Sequence, residues 1–271
     1  MIEPLIEVAG HRFFQGDCLE VLAQLPDGSV DALMTDPPYS SGGQFRGDRT
    51  GGSTGAKYLH HGGPQTGAPD FAGDTRDQRG WAYWSALWLS QCLRIAKPGA
   101  PLFVFSDWRQ LPTATDMIQA GGWVWRGIAV WDKTEGVRPQ KGRPRAQAEF
   151  LVWGSKGGMA KPTPESPCPA GVWRENLPGR SKVHQTQKPV AMLREMLRVL
   201  PTGSTILDPF LGSGSTAVAA HELGHRCVGV EFVPYYLEVA AQRIRETVAQ
   251  PGLFALAAEP EQITITGEAG A

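Results

Sequence analysis

"TILDPFLGSGSTAVAAHELGHRCVGVE" (205–231) reads as a strand, a glycine turn, a helix and a second strand. The strand run at 204–207, with β-branched Thr205 and Ile206, ends at Asp208 and Pro209, since proline cannot donate to a sheet ladder. Gly212 and Gly214 then open a helix over about 214–223, which Gly224 stops, and 226–230 forms the next strand, ending in Glu231. Gly212, Gly214 and Ala217 fit G-x-G-x-x-A, a turn that lets the backbone approach a bound ligand, and Glu231 lies near the distance at which a carboxylate takes ribose hydroxyls. Taken alone, this unit suits a nicotinamide dehydrogenase as well as other nucleoside-binding enzymes. It is not a P-loop, because no lysine follows the glycines.

Working outward, a helix at 234–248 completes a βαβα unit, and "PVAMLREMLRVL" (189–200) precedes it as a helix with proline in its first turn. Further strands are expected at 11–14, 30–35, 101–106, 123–131 and 148–153, and helices at 19–25 and 108–120. Trp81, Trp84, Trp88, Cys92 and Ile95 recur at spacings of three and four, which predicts a helix with its tryptophans in the core, stopped by "KPG" (97–99). The whole reads as an α/β chain.

A second stretch, "VDALMTDPPYSSGG" (30–43), also ends a buried strand at Asp-Pro. It presents Asp36 and Tyr39 on a backbone stiffened by Pro37 and Pro38, at the strand's carboxyl end, where open α/β sheets bind ligands. The segment from there to about residue 77 is rich in Gly, Ser, Thr and His without either periodicity, the mark of a functional or mobile loop.

Hydrophobic content of 41% and charge content of 20% are ordinary for a globular chain of 271 residues. No apolar run approaches the roughly 18 residues of a membrane span, and the N-terminal residues lack a signal-peptide pattern, so the expectation is a cytoplasmic protein with no membrane partner. Cys18, Cys92, Cys168 and Cys227 are too scattered for a zinc site or a disulfide framework, so no metal is expected. The net charge of −1 hides an asymmetry: residues 132–188 hold eleven Lys or Arg against five Asp or Glu, so that segment carries +6 and the remainder −7. Such a patch suits a polyanion as readily as a solvated loop.

"DPPY" (36–39), "HQTQKP" (184–189) and "DPFLGSGST" (208–216) resemble, in that order, the catalytic motif, the methionine-pocket motif and the S-adenosylmethionine loop of the amino-methylating DNA methyltransferases. Having the catalytic motif first resembles the circularly permuted β class. The resemblance, over about residues 10–248, implies a Rossmann-like methyltransferase fold: a mostly parallel seven-stranded sheet with one antiparallel strand. It divides the chain into a catalytic half (10–153), a target-recognition region (154–183) with the basic connection 132–147, a cofactor-binding half (184–248) and a tail (249–271). It implies methyl transfer from S-adenosylmethionine to an exocyclic amine of double-stranded DNA. Adenine-N6 enzymes of the family usually open their motif with Asp, as Asp36 here, whereas cytosine-N4 enzymes more often use Ser.

The resemblance also distributes roles. The Asp36 carboxylate and the Pro37 carbonyl would each accept one N–H of the target amine, Pro38 would fix the backbone, and Tyr39 would stack on the extruded base. Glu231 would take the ribose, and Asp17 with the Cys18 backbone the adenine of the cofactor. Asp208, Phe210, Gly212, Gly214, Ser215 and Thr216 would surround its methionine half, and Lys188 would take the methionine carboxylate. Lys133, Arg138, Lys141, Arg143, Arg145, Arg174, Arg180 and Lys182 are the candidate DNA contacts. Expected partners extend to a second copy of the chain and a cognate restriction endonuclease. The rivals are a cytosine-N4 enzyme, an RNA or protein-glutamine methyltransferase, a dehydrogenase, and an inactive DNA-binding module.

Overall fold

The computed structural model describes residues 2–39, 76–137, 139, 141–176 and 188–249. Nine strands among them form one sheet: β1 (Ile6–Val8), β2 (His11–Gln15), β3 (Ala32–Thr35), β4 (Pro101–Ser106), β5 (Val124–Asp132), β6 (Ala148–Ser155), β7 (Val172–Arg174), β8 (Thr205–Asp208) and β9 (Arg226–Glu231). Their order is β1-β2-β9-β8-β3-β4-β6-β5-β7. The helices are α1 (Cys18–Leu22), α2 (Gln78–Ile95), α3 (Leu111–Ala120), α4 (Val190–Leu197), α5 (Ser215–Glu222) and α6 (Pro234–Ala249). The expected loop over most of 40–77, the "HQTQ" of 184–187 and the tail beyond 249 lie outside the described residues.

From β2 to β4 every neighbouring pair is parallel, and β6 runs antiparallel to both β4 and β5. That is the expected seven-stranded sheet with one reversed strand. The count of seven is corrected by two short edge strands. β1 forms a hairpin with β2 through Ala9 and Gly10, whose φ values of 49° and 78° suit the twist of a two-residue turn. β7 joins β5 in parallel, so part of the proline- and glycine-rich 154–183 region belongs to the sheet.

Adjacent strand residues feed opposite cores because side chains alternate along a strand. Phe14, Leu33, Leu102, Val104, Leu207 and Val228 pack with α1, α2 and α3, where Trp81 and Trp88 are fully buried. Phe13, Met34, Phe103, Phe105, Ile206 and Cys227 pack with α4, α5 and α6. Both faces are therefore covered, and the near-continuous apolar strands require it. Chemistry is left to the edges.

The carboxyl edge is acidic. Asp17, Asp36, Asp107, Asp208 and Glu231 stand at or just past the ends of β2, β3, β4, β8 and β9. Glu149 joins them because β6 runs the other way and brings its N-terminal end to the same edge. The basic connection between β5 and β6 leaves from there too.

Candidate active site

At the end of β8, Asp208 is 2% exposed and accepts from the Thr35 hydroxyl at 2.7 Å and the Phe210 amide at 3.1 Å, with Thr216 as a third donor. Burial still raises its pKa to about 6, against the pull of those hydrogen bonds. The chain then turns through Gly212 (φ 51°) and Gly214 (φ 79°) into α5. A side chain at 214 would meet the Ala240 Cβ at 2.7 Å, so that glycine serves the packing of α5 against α6. At 212 a Cβ would meet nothing within 4 Å, so the turn keeps an open face. Arg243 braces the far side of the turn, donating to the Ser213 carbonyl at 2.6 Å and facing the Ser215 hydroxyl at 3.3 Å.

Glu231 closes this region from β9. Its Oε2 accepts from the Gly212 amide and its Oε1 from the Val233 amide, each at 2.9 Å. Burial raises its pKa while these amides pull it down. Two accepted bonds leave a carboxylate spare lone pairs for a diol. Phe210 stacks its ring edge-on against Trp88 at 5.2 Å, with Trp84 beside it at 5.3 Å. Asp17 caps α1 through the Leu19 amide at 2.8 Å, and Cys18 is buried behind it. The open glycine turn, the fixed Glu231 and the aromatic wall suit a nucleoside with an attached amino-acid arm.

The Asp36 turn, on the neighbouring strand, is arranged differently. Pro37 is buried, the Pro38 carbonyl accepts from the Trp81 indole at 2.8 Å, and the Tyr39 carbonyl accepts from the Gln110 side chain at 3.2 Å. The Pro37 carbonyl accepts no hydrogen bond from the described residues. Asp36 Oδ2 binds the Lys188 ammonium at 2.7 Å, while its buried Oδ1 has no partner among the described residues. Two acceptors one residue apart are thus held in place and unused.

Lys188, expected at the methionine carboxylate, meets two carboxylates of the chain itself. Its ammonium, on a side chain 7% exposed, lies between Asp36 Oδ2 and Glu149 Oε1, each at 2.7 Å, and both carboxylates hold it well above the usual lysine range. A full charge at 2.7 Å attracts a lysine at this position strongly. Sequence reasoning misses Glu149, because one acid opening an apolar strand reads as solvent-facing. Its Oε1 also accepts from the Tyr39 hydroxyl at 2.9 Å, and its Oε2 faces Lys133 at 3.5 Å.

Of the candidate DNA contacts, Lys133 is therefore drawn inward to Glu149, and Arg174 pairs with Asp132 at 3.5 Å while remaining 68% exposed. Lys141, Arg143 and Arg145 are exposed on the β5–β6 connection, with Arg145 donating to the Glu135 carbonyl. Arg138, Arg180 and Lys182 lie outside the described residues. Among the described residues no group of His, Cys, Asp or Glu could hold a metal ion, all four cysteines are free, and no helix is long and apolar enough to cross a membrane.

The family model described as "DNA methylase" matches residues 30–242. The YubD protein of Escherichia coli (strain K12) is 29% identical over 234 residues, covering 86% of this chain and 89% of that one. TTHA0409 of Thermus thermophilus, solved in complex with S-adenosyl-L-methionine, superposes with a TM-score of 0.61 at 23% identity over 88% of this chain and 96% of that one. The cytosine-N4-specific PvuII DNA methyltransferase superposes with a TM-score of 0.66 at 15% identity, over 92% and 94% of the two chains. The two superpositions agree on the fold, and with the family match spanning both Asp-Pro turns, the chain belongs to the N6/N4 amino-methylating DNA methyltransferases.

Proposed function

We propose that this protein transfers a methyl group from S-adenosylmethionine to the N6 amine of adenine in double-stranded DNA. The observation that carries the reading is the pair of acceptors left without a partner among the described residues, Asp36 Oδ1 and the Pro37 carbonyl, on a turn whose Pro38 and Tyr39 carbonyls are already bonded. An exocyclic amine is a poor nucleophile because its lone pair is delocalised into the ring. Two acceptors taking its two N–H groups turn that lone pair out of the ring plane, and the proton released on methylation passes to Asp36. Tyr39, its hydroxyl fixed by Glu149, offers its ring to the extruded base.

The cofactor, when bound, supplies a sulfonium methyl whose bond to sulfur breaks toward sulfur. Glu231 takes the ribose hydroxyls, the open face of Gly212 admits the methionine arm, and Asp208 with Ser215 and Thr216 fixes the turn. Asp17 and the Cys18 backbone border the adenine. DNA lies along the connection bearing Lys141, Arg143 and Arg145, which leaves the same sheet edge as Asp36, with 154–183 as the recognition region. Adenine is assigned over cytosine on the carboxylate at position 36.

Two measurements test this. Asp36→Ala is expected to abolish tritiated methyl transfer, losing about 10²-fold or more, while calorimetric binding of S-adenosylmethionine stays within a few-fold. Turnover above a few per cent would overturn the role of Asp36. Mass spectrometry of nuclease-digested product DNA is expected to show N6-methyladenine; N4-methylcytosine alone would overturn the base assignment and leave the clamp standing.

A further inference from the structure

Glu149 is 7% exposed and enters the chemistry above only through the Tyr39 hydroxyl. It reaches the site only because β6 is the reversed strand. Its Oε1 takes both the Lys188 ammonium and the Tyr39 hydroxyl, and the same ammonium takes Asp36 Oδ2, so two carboxylates share one cation. Lys188 also lies 3.5 Å from the Tyr39 hydroxyl and 5.1 Å from the centre of the Phe105 ring, an apolar wall that keeps water from dispersing the charge.

We infer that Glu149 is a positioning residue for methyl transfer: it fixes the Tyr39 phenol and divides the Lys188 charge, so that Asp36 remains a strong proton acceptor. The inference rests on the clamp proposed above. Paired with Lys188 alone, Asp36 would be a stabilised anion with little affinity for the amine proton. With Glu149 competing for the same ammonium, that affinity rises.

The charged and titratable groups facing this pair are Lys188 before α4, Lys133 after β5, Tyr39 after β3, Asp107 after β4 and Asp208 on β8. Burial raises Asp36 above the ordinary carboxylate range, Lys188 opposes this, and the Glu149 and Asp208 charges add to it. Glu149, despite its burial, is held low by Lys188 and Lys133 and by the Tyr39 hydrogen bond. Asp36 is therefore the member that takes the proton.

Two substitutions should move the acid limb of the single-turnover rate in opposite directions, measured at saturating DNA and S-adenosylmethionine from about pH 5.5 to 9. Glu149→Gln removes the competing charge, lowers the Asp36 pKa, and shifts the limb by about one unit toward acid, with a plateau about tenfold lower. Lys133→Met frees Glu149 to draw Lys188 more strongly and shifts the limb toward alkali. Glu149→Asp, which keeps the charge, should leave the limb near that of the unsubstituted protein. S-adenosylmethionine binding within a few-fold shows that each variant is folded, and Lys133→Met still reads the coupling if Glu149→Gln does not fold. Limbs that stay in place, or move in one direction in both variants, overturn the inference. An unsubstituted protein that methylates no DNA would instead overturn the clamp.

Discussion

Asp36-Pro37 and Asp208-Pro209 are the same dipeptide at the same place, the carboxyl ends of adjacent parallel strands. Their environments differ in one respect. Asp208 is held by three fixed neutral donors, from its own turn, from the start of α5 and from Thr35 on the adjacent strand. Asp36 is held by a shared cation and keeps one oxygen without a partner among the described residues. The first arrangement stabilises a loop. The second leaves a buried anion dependent on what next arrives, the kind of local cost that folds carry at reactive positions.

Thermal and denaturant unfolding should separate the two most widely. Asp208→Ala strands three donors in a dry site and is expected to cost about 3 kcal/mol. Asp36→Ala leaves Lys188 its Glu149 partner and removes an unpaired oxygen, so stability should change by under about 0.5 kcal/mol or rise. Equal losses from the two substitutions would break the contrast.

How much of this could be read from the chain alone follows the same division. Features set by local order were legible: the two Asp-Pro turns, the glycines of 212 and 214, the tryptophan face of α2, and the seven strands of four or more residues. Features set by pairing across the fold were not. β1 turns through Ala9 at φ 49°, a residue that gives no turn signal, and β7 has only three residues inside a proline-rich stretch. Glu149 and Lys188 are 39 positions apart and meet only because β6 is reversed. Lys188 was legible as a site residue but not as the partner of Asp36, since a helix terminus and a carboxylate both attract a lysine. Asp17 shows a milder case, in which a residue expected at the cofactor is also the cap of α1.

Thr35→Val sharpens the contrast at a smaller scale. The substitution preserves shape and removes the 2.7 Å hydroxyl bond to Asp208, leaving the Phe210 amide and Thr216 in place. A cost of about 1.5 kcal/mol at neutral pH is expected, the value of one hydrogen bond to a charged group. S-adenosylmethionine binding should weaken only a few-fold, since the turn itself remains. A neutral outcome would mean that Asp208 does not need the adjacent strand.

The cost of Thr35→Val should itself depend on pH. Asp208 has a folded pKa of about 6 against an ordinary 3.8, so between these values the folded state holds a proton that the unfolded chain has released. Its contribution to stability is greatest at or below about pH 4, falls as pH rises through about 6, and is level above that. His11 has the opposite slope over much of the same window: burial first, then His221, lower it to about 4, so unfolding takes up a proton as pH falls below 6.5. In the bare stability of either protein the two slopes oppose each other. In the difference between Thr35→Val and the unsubstituted protein, His11 cancels because its contacts, with His221 and the Cys227 amide, do not involve Thr35. The hydroxyl bond favours the Asp208 anion, so its loss raises the folded pKa further and penalises the variant chiefly where Asp208 is charged. Urea denaturation at about pH 4.5 and 7.5 should therefore give the smaller cost at the acid end. A cost that is equal at both, or larger in acid, would show that Asp208 is not the group the hydroxyl serves.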